Sequence, residues 1–269
     1  MTRSSPARLC EIRRAMQTAS PIMSTRWHIG AKDLRGAVAT YAKRFDLLEV
    51  RVMVPVSQDD VPAPSLATLR RWRKQVPPHF DFSVVAGPLL SRVRPSDHAE
   101  RELQAAREAM DALQARCFVL RTPPEVTPSS LWRERIAKIV ARIPRDVTNF
   151  VWEPSGVWET ADAAAQARAW DVVLAVDPAK EPVPAGPVAY LRLRALGETS
   201  SFSAVALERI AKRVGLRRDV FAIIETDSAL AEAKRLRQIV RAVRAGGAAG
   251  PPRLVRPRGG IVVRDDEQE

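Results

Sequence analysis

Several apolar, strand-like segments of this chain carry charged residues at or near their ends. In the segment Leu47–Met53, Glu49 and Arg51 stand two residues apart, so the alternation of a strand turns both side chains to one face. The same pattern recurs further along the chain, at Arg121, Glu153, Arg192, Arg194 and Glu225. Charges at the ends of several core-like strands predict one shared polar pocket.

The residue types in this set indicate what the pocket would bind. A guanidinium group presents a fork of donors that matches a carboxylate or a phosphate, and a glutamate can give or take a proton. The predicted anion-binding residues are Arg51, Arg121, Arg192 and Arg194, and the predicted proton-transfer residues are Glu49, Glu153 and Glu225. Two alternatives stay open: the pocket binds its ligand without catalysis, or these charges pair with one another and bind no ligand.

The segments that must position these residues alternate between strand and helix patterns from Trp27 to Ala245. Eight strands are predicted, at 26–30, 46–54, 80–86, 117–121, 147–153, 172–176, 188–193 and 220–224. Seven helices are predicted, at 34–44, 65–75, 96–115, 128–142, 160–169, 203–214 and 228–244, with Ser65 as an N-cap. The segment Pro178–Pro187 is too short and too rich in proline for a full helix, so the sixth helix should be short or missing.

This alternation predicts both the fold class and the direction of the charged side chains. Strands that alternate with helices pair in parallel, and eight such units favour an α/β fold with a closed TIM-like (β/α)8 barrel over an open sheet. No glycine-rich dinucleotide or P-loop motif follows a predicted strand, which argues against a Rossmann or P-loop protein. In a barrel, Leu48, Val50 and Val52 should pack against the helices, which turns Glu49 and Arg51 inward.

The 269 residues are predicted to form one domain with two flanking segments. We expect a disordered leader at 1–23, a barrel domain at 24–245 and a disordered tail at 246–269, since Gly, Pro and Arg dominate the tail. No stretch approaches the roughly 18 apolar residues of a membrane span. Cys10 and Cys117 fall in different segments and show no metal-ligand spacing, which indicates a cytoplasmic protein with a free thiol.

The net charge of +12 makes nucleic acid a candidate partner. Acidic residues are interspersed among the basic ones, so a general solvated surface is favoured and nucleic-acid binding stays a weaker alternative to a small anionic ligand. The three histidines, His28, His79 and His98, are scattered along the chain. We therefore predict no metal site and no cofactor.

The order of several short segments resembles that of the YecE-like proteins, the domain of unknown function family 72. The matching segments include Leu48-Glu49-Val50, Phe80-Asp81-Phe82, Val119–Pro124, Trp152-Glu153-Pro154 and Tyr190–Leu193, within a resemblance from about Arg26 to Ala245. This resemblance implies a TIM-like barrel. It places Glu49, Glu153, Asp177 and Arg192 at positions that match the family, so Asp177 joins the predicted ligand-binding residues.

Other positions depart from the family pattern. Arg51 stands where the family usually has Asn, Arg121 where Gln is common, and Arg194 where a His precedes Gly. These exchanges bring arginines into the pocket, so the resemblance implies no activity for it. Trp158 follows the fifth predicted strand and joins the predicted ligand-binding residues, either as a wall of the pocket or as a cover for the strand end.

Overall fold

The computed structural model describes residues 25–248, apart from 33, 35, 54–62, 147 and 196–200 and the side chains after residue 243. The predicted leader at 1–23, with Cys10, lies outside the described residues, and so does the predicted tail beyond residue 248. The same holds for Val54, the predicted end of the second strand.

Eight parallel strands close into a barrel in which each strand pairs with its neighbours in sequence and the eighth pairs with the first. The strands are β1 (Arg26–Ala31), β2 (Leu47–Arg51), β3 (Asp81–Val85), β4 (Cys117–Arg121), β5 (Asn149–Glu153), β6 (Val173–Val176), β7 (Val188–Leu193) and β8 (Asp219–Ile224). Most are rich in branched and aromatic apolar residues, as strands covered on both faces require. The predicted α/β class and (β/α)8 barrel are confirmed.

The described residues form eight helices, of which seven lie between strands and the last follows β8. They are α1 (Val38–Ala42), α2 (Leu66–Gln75), α3 (Pro88–Ser91), α4 (Asp97–Leu113), α5 (Ser130–Val140), α6 (Thr160–Ala169), α7 (Ala204–Val214) and α8 (Ala229–Ala248). The described connection between β6 and β7 contains no helix, so the predicted gap at the sixth helix is confirmed.

Two helices differ from the sequence prediction. The first helix was predicted from residue 34 but begins at Val38, because Gly36 adopts a φ of +79°, which is incompatible with an α-helix. The single turn α3 was not predicted. Pro88 begins it, since the fixed φ of proline suits the first helical position.

Serine side chains begin three of the longer helices. Ser65 accepts a hydrogen bond from the backbone N–H three residues further on at 3.2 Å, which confirms the predicted N-cap. Ser96 and Ser203 accept the same bond at 3.1 and 3.2 Å. Each bond satisfies a backbone donor that the helix itself leaves free, so these serines mark where the outer helices start.

The strands separate two apolar cores. Leu48, Val50 and Val52 belong to the larger core between the barrel and the helices, as predicted. Leu47 belongs to a smaller core inside the barrel, so alternation turns Glu49 to the interior as well. The inner core comprises Leu47, Val85, Cys117, Val119, Val151, Ala175, Val188, Tyr190, Phe221 and Ile223. Polar side chains occupy the barrel interior at either end of this core.

Candidate functional site

Arg192 occupies the centre of the barrel's C-terminal mouth, and only 1% of its side chain is exposed. Its Nη1 donates to Glu49 Oε2 at 2.6 Å, and its Nε donates to Glu153 Oε2 at 2.9 Å. The same Nη1 lies 3.4 Å from Glu225 Oε1. The ends of β2, β5 and β8 thus each bring one glutamate to a single guanidinium group carried by β7.

Two partly exposed arginines form the outer layer of this network. Arg194 donates from Nη2 to Glu153 Oε1 at 2.6 Å and from Nε to Glu225 Oε2 at 2.9 Å. Arg121 places its Nε 3.2 Å from Glu153 Oε2. About a third of each side chain, 37% for Arg194 and 36% for Arg121, remains open to solvent. In the part of the chain that the structure describes, Nη1 of both arginines and Nη2 of Arg121 have no partner.

Tyr190 is a member of this network that the sequence analysis missed. Its hydroxyl donates to Glu49 Oε1 at 2.6 Å, and its ring lies beside the Arg192 guanidinium, 5.4 Å from centroid to Cζ. Burial, and then the neighbouring Glu49 carboxylate, raise the pKa of the Tyr190 hydroxyl well above its usual value. The sequence does indicate this role, because Tyr190 stands two residues before Arg192 and therefore lies on the same face of β7.

The network contains three arginines and three glutamates, so its formal charges balance. Burial by itself raises the pKa of Glu153, but Arg192, Arg121 and Arg194 outweigh burial and hold that pKa below its usual value. Burial likewise opposes the charge on Arg192, but Glu49 and its other neighbours raise the pKa of the guanidinium well above its usual value. Glu153 is therefore a carboxylate at neutral pH.

Asp177 is the mouth carboxyl that the arginines leave without an ion pair among the described residues. It follows β6 directly, and its Oδ1 accepts the backbone N–H of Ala179 at 3.0 Å. Its Oδ2 is buried and has no hydrogen-bond partner within the described part of the protein. Burial, which outweighs the attraction of Lys180 and Arg194, raises the pKa of Asp177 above its usual value.

Two further predicted site residues lie outside the network, as Asp177 does. Arg51 ends β2 and is exposed, and its side chain forms no hydrogen bond or ion pair with any residue that the structure describes. Trp158 donates from its indole N–H to the Val126 carbonyl oxygen at 2.6 Å, and it packs edge-on against Trp152. Of the two roles that the sequence left open, a wall of the pocket or a cover for the strand end, Trp158 therefore has the second, at the end of β5.

A cleft of about 370 Å³ opens above the outer layer of the network. Its lining residues are Arg121, Thr122, Pro123, Glu153, Pro154, Ser155, Arg194 and Glu225. The cleft therefore exposes the two outer arginines, while Arg192 lies beneath it with an Nη2 that is buried and has no hydrogen-bond partner among the described residues.

The histidines lie away from this mouth. His28 points into the barrel at the opposite end, where its ring stacks on Phe221, and no cluster of three or more His, Cys, Asp or Glu side chains suited to a metal occurs in the described ranges. The described residues also include no helix long and apolar enough to cross a membrane.

The closed parallel barrel, with polar side chains gathered where its strands end, defines a TIM-barrel protein. A more specific assignment comes from comparison with known families. The chain belongs to the family described as "Protein of unknown function DUF72", whose model matches residues 30–254. The resemblance to the YecE-like proteins is thereby confirmed over most of the chain.

Solved structures support the fold. A DUF72 family protein from Thermotoga maritima is 14% identical, with a TM-score of 0.62 over 80% of this chain and 99% of that one. A DUF72 family protein from Enterococcus faecalis is 15% identical, with a TM-score of 0.61 over 80% and 95%. A xylose isomerase domain containing protein from Salmonella typhimurium is 14% identical, with a TM-score of 0.52 over 84% and 99%. Comparison with the curated proteins gives no match.

Proposed function

We propose that the barrel mouth binds a small ligand through a carboxylate or phosphate group, with Arg121 and Arg194 as its direct contacts. The observation that carries this proposal is the cleft of about 370 Å³ into which both arginines present guanidinium N–H groups that lack partners among the described residues. Oxyanions form short, charge-assisted hydrogen bonds with such groups. Thr122 and Ser155 line the same cleft and add polar atoms beside the anion.

In this proposal the glutamates hold the arginines in place. Glu153 bridges the two outer arginines and the buried Arg192, and its lowered pKa makes it a poor proton donor at neutral pH. Glu225 fixes Arg194 in the same way. The proton-transfer role of Glu49, Glu153 and Glu225 stays a prediction, and the lowered pKa of Glu153 makes that residue a better proton acceptor than donor.

Asp177 is the carboxyl of the mouth that best fits a proton donor. Burial raises its pKa, and its Oδ2 is buried without a hydrogen-bond partner in the described part of the chain. In the register of the barrel Ala175 lies opposite Tyr190, so Asp177, two residues further on, comes level with Arg192 on the neighbouring strand. A ligand held on the outer arginines would therefore bind near a carboxyl group whose pKa is raised by burial.

The shape of the cleft favours a small molecule over a polymer as the ligand, and the free thiol of Cys117 favours a reducing compartment. The cleft is sunk between strand ends, and its volume of about 370 Å³ lies in the range of small-molecule pockets. Cys117 is a free thiol in the barrel interior, as is usual for cytoplasmic proteins. We therefore place this ligand binding in the cytoplasm.

A thermal-shift titration of the full chain tests the proposal. Phosphate or malonate at about 100 times its dissociation constant should stabilise the protein by about 2.7 kcal/mol, which raises the Tm by several degrees. The shift should shrink in Arg121→Gln and Arg194→Gln, because each loses a cation that faces the cleft. Arg51→Gln is the matched control, since it removes an equal charge from an exposed side chain that forms no ion pair with the described residues.

A closed ionic network without a ligand is the second candidate. It is favoured by one observation: every carboxylate oxygen of Glu49, Glu153 and Glu225 lies within 3.4 Å of an arginine nitrogen or the Tyr190 hydroxyl. In that case wild type, Arg121→Gln and Arg194→Gln would show equal ligand-induced shifts. That result would reject binding at the mouth and leave the network a purely structural role.

A further inference from the structure

Three arginines converge on one buried aspartate at the opposite, N-terminal end of the barrel. Asp219 begins β8, and its side chain is fully buried. Arg26 places its Nε 2.8 Å from Oδ1 and donates from Nη2 to Oδ2 at 3.2 Å. Arg218 donates from Nε to Oδ2 at 2.9 Å, and Arg116 donates from Nη2 to the same oxygen at 3.2 Å. Two of these arginines come from the starts of β1 and β8, and the third precedes β4.

The single carboxylate of Asp219 does not neutralise these three cations. A second acid at this end of the barrel, Asp81, lies against His28, with 2.5 Å between Oδ2 and Nδ1. The other ring nitrogen of His28 lies 3.3 Å from Asp219 Oδ1, so the histidine separates the two carboxylates. Guanidinium groups gathered around one charge repel one another, and a further anion beside them would relieve that repulsion.

The same arginines retain donors for such an anion. Between 31% and 56% of each side chain is exposed. Among the described residues, Nη1 of Arg26 and both Nη1 and Nη2 of Arg218 have no hydrogen-bond partner, and Arg116 uses only Nη2. The exposed nitrogens around Asp219 thus form a cationic cluster, which we call the Asp219 cluster (Arg26, Arg116, Arg218 and Asp219).

A cleft of about 330 Å³ adjoins the Asp219 cluster through Arg218. Its basic lining residues are Arg145, Arg168 and Arg218, and its apolar ones include Val172, Pro184 and Pro187. It borders the connection between β6 and β7, where no helix is present to fill the space. The cleft therefore offers a partly apolar surface directly beside the cluster.

We propose that the Asp219 cluster binds the phosphate group of a small phosphate monoester whose organic part lies in the adjoining cleft. A phosphate dianion matches the excess positive charge, and its several oxygens suit donors from three guanidinium groups. The three guanidinium groups meet at Asp219 instead of following a strip along the surface, which fits a single phosphate better than a nucleic-acid backbone. The apolar inner core separates this site from the barrel mouth.

Phosphate titration of the isotopically labelled full chain, followed by NMR in a phosphate-free buffer, tests this proposal without any substitution. Inorganic phosphate should produce saturable shifts of the backbone amide and guanidinium signals of Arg26, Arg116 and Arg218. Phenyl phosphate should bind more tightly than inorganic phosphate and should also shift Val172 in the cleft. If these signals do not move up to millimolar phosphate, the three arginines only hold Asp219 and the proposal is wrong.

Two sets of variants separate this site from the proposed site at the mouth. Arg26→Gln and Arg218→Gln should each weaken phosphate binding at the Asp219 cluster about tenfold, because each removes a charged donor. Arg121→Gln should leave that affinity unchanged and affect only signals at the mouth. The wild-type titration tests the site by itself, so the proposal can be rejected even if either cluster variant folds poorly.

A ten-nucleotide oligothymidylate distinguishes a small phosphate monoester from a nucleic-acid backbone as the source of the phosphate. We expect it to bind the cluster no more tightly than inorganic phosphate does. Tighter oligonucleotide binding with a steep dependence on salt would overturn the small-molecule assignment in favour of a nucleic-acid backbone.

Discussion

Arg192→Met should destabilise the fold mainly because the buried carboxylate of Glu49 loses its cation. Glu153 would keep Arg121 and Arg194 as partners, and Glu225 would keep Arg194. Glu49, whose side chain is only 7% exposed, would keep only the Tyr190 hydroxyl. The substitution therefore leaves one buried carboxylate without a cation.

The magnitude follows from that count. Removing one partner of a buried ion pair costs about 3–5 kcal/mol, because the remaining charge is desolvated without compensation. Glu49→Gln should cost less, about 1–3 kcal/mol, since Arg192 still contacts Glu153 and Glu225. In the double variant no carboxylate at position 49 is left unpaired. We expect its cost to be about 2 kcal/mol below the sum of the two single costs.

Urea unfolding at neutral pH, followed by circular dichroism, measures these free energies. Arg51→Met is the matched control: it removes an exposed arginine from the same mouth and should change the free energy of unfolding by less than about 0.5 kcal/mol. Single costs that add to within about 0.5 kcal/mol would refute a coupled network around Arg192.

Three further predictions concern pH and packing. Because the folded pKa of Glu153 is below its ordinary value of 4.5, its contribution to stability is complete above that pH and is lost as the pH falls through the lower folded value. The pKa of Asp177 in the folded protein is raised above 3.8, so its ionisation lowers the free energy of unfolding as the pH rises from 3.8. Asp177→Asn should abolish this loss of stability. Identical Tm–pH curves for the variant and the wild type would contradict the assignment. Gly30→Ala should lower the free energy of unfolding in urea by about 1–3 kcal/mol, because an added Cβ would overlap the Leu47 carbonyl oxygen on the neighbouring strand. An unchanged free energy of unfolding would show that β1 and β2 can move apart.

The inward charges could be predicted because strand alternation is a local property. Glu49 and Arg192 each stand in a short apolar segment, so their parity and their position near the strand end follow from a few neighbouring residues. The same reasoning assigned Arg51 to the interior. Its side chain is instead exposed, because β2 ends at this residue and the barrel wall no longer encloses it.

The partners of each charge could not be predicted in this way. Glu153 and Arg192 are 39 residues apart, and Glu49 and Arg192 are 143 apart, so barrel closure and register bring them together. The Asp219 cluster shows the same limit more strongly. Arg26 and Asp219 lie 193 residues apart, and no local pattern marks either of them as part of one site.

By itself, the sequence determined the alternation of strands and helices, the missing sixth helix, the family and most of the inward charges, since all of these depend on periodicity, turns and short motifs. Only the tertiary structure decided that Arg192 is buried among three glutamates while Arg121 and Arg194 face a cleft. The physical reason is that burial and ion pairing are properties of side chains from distant segments, and these segments meet only when the eighth strand closes on the first.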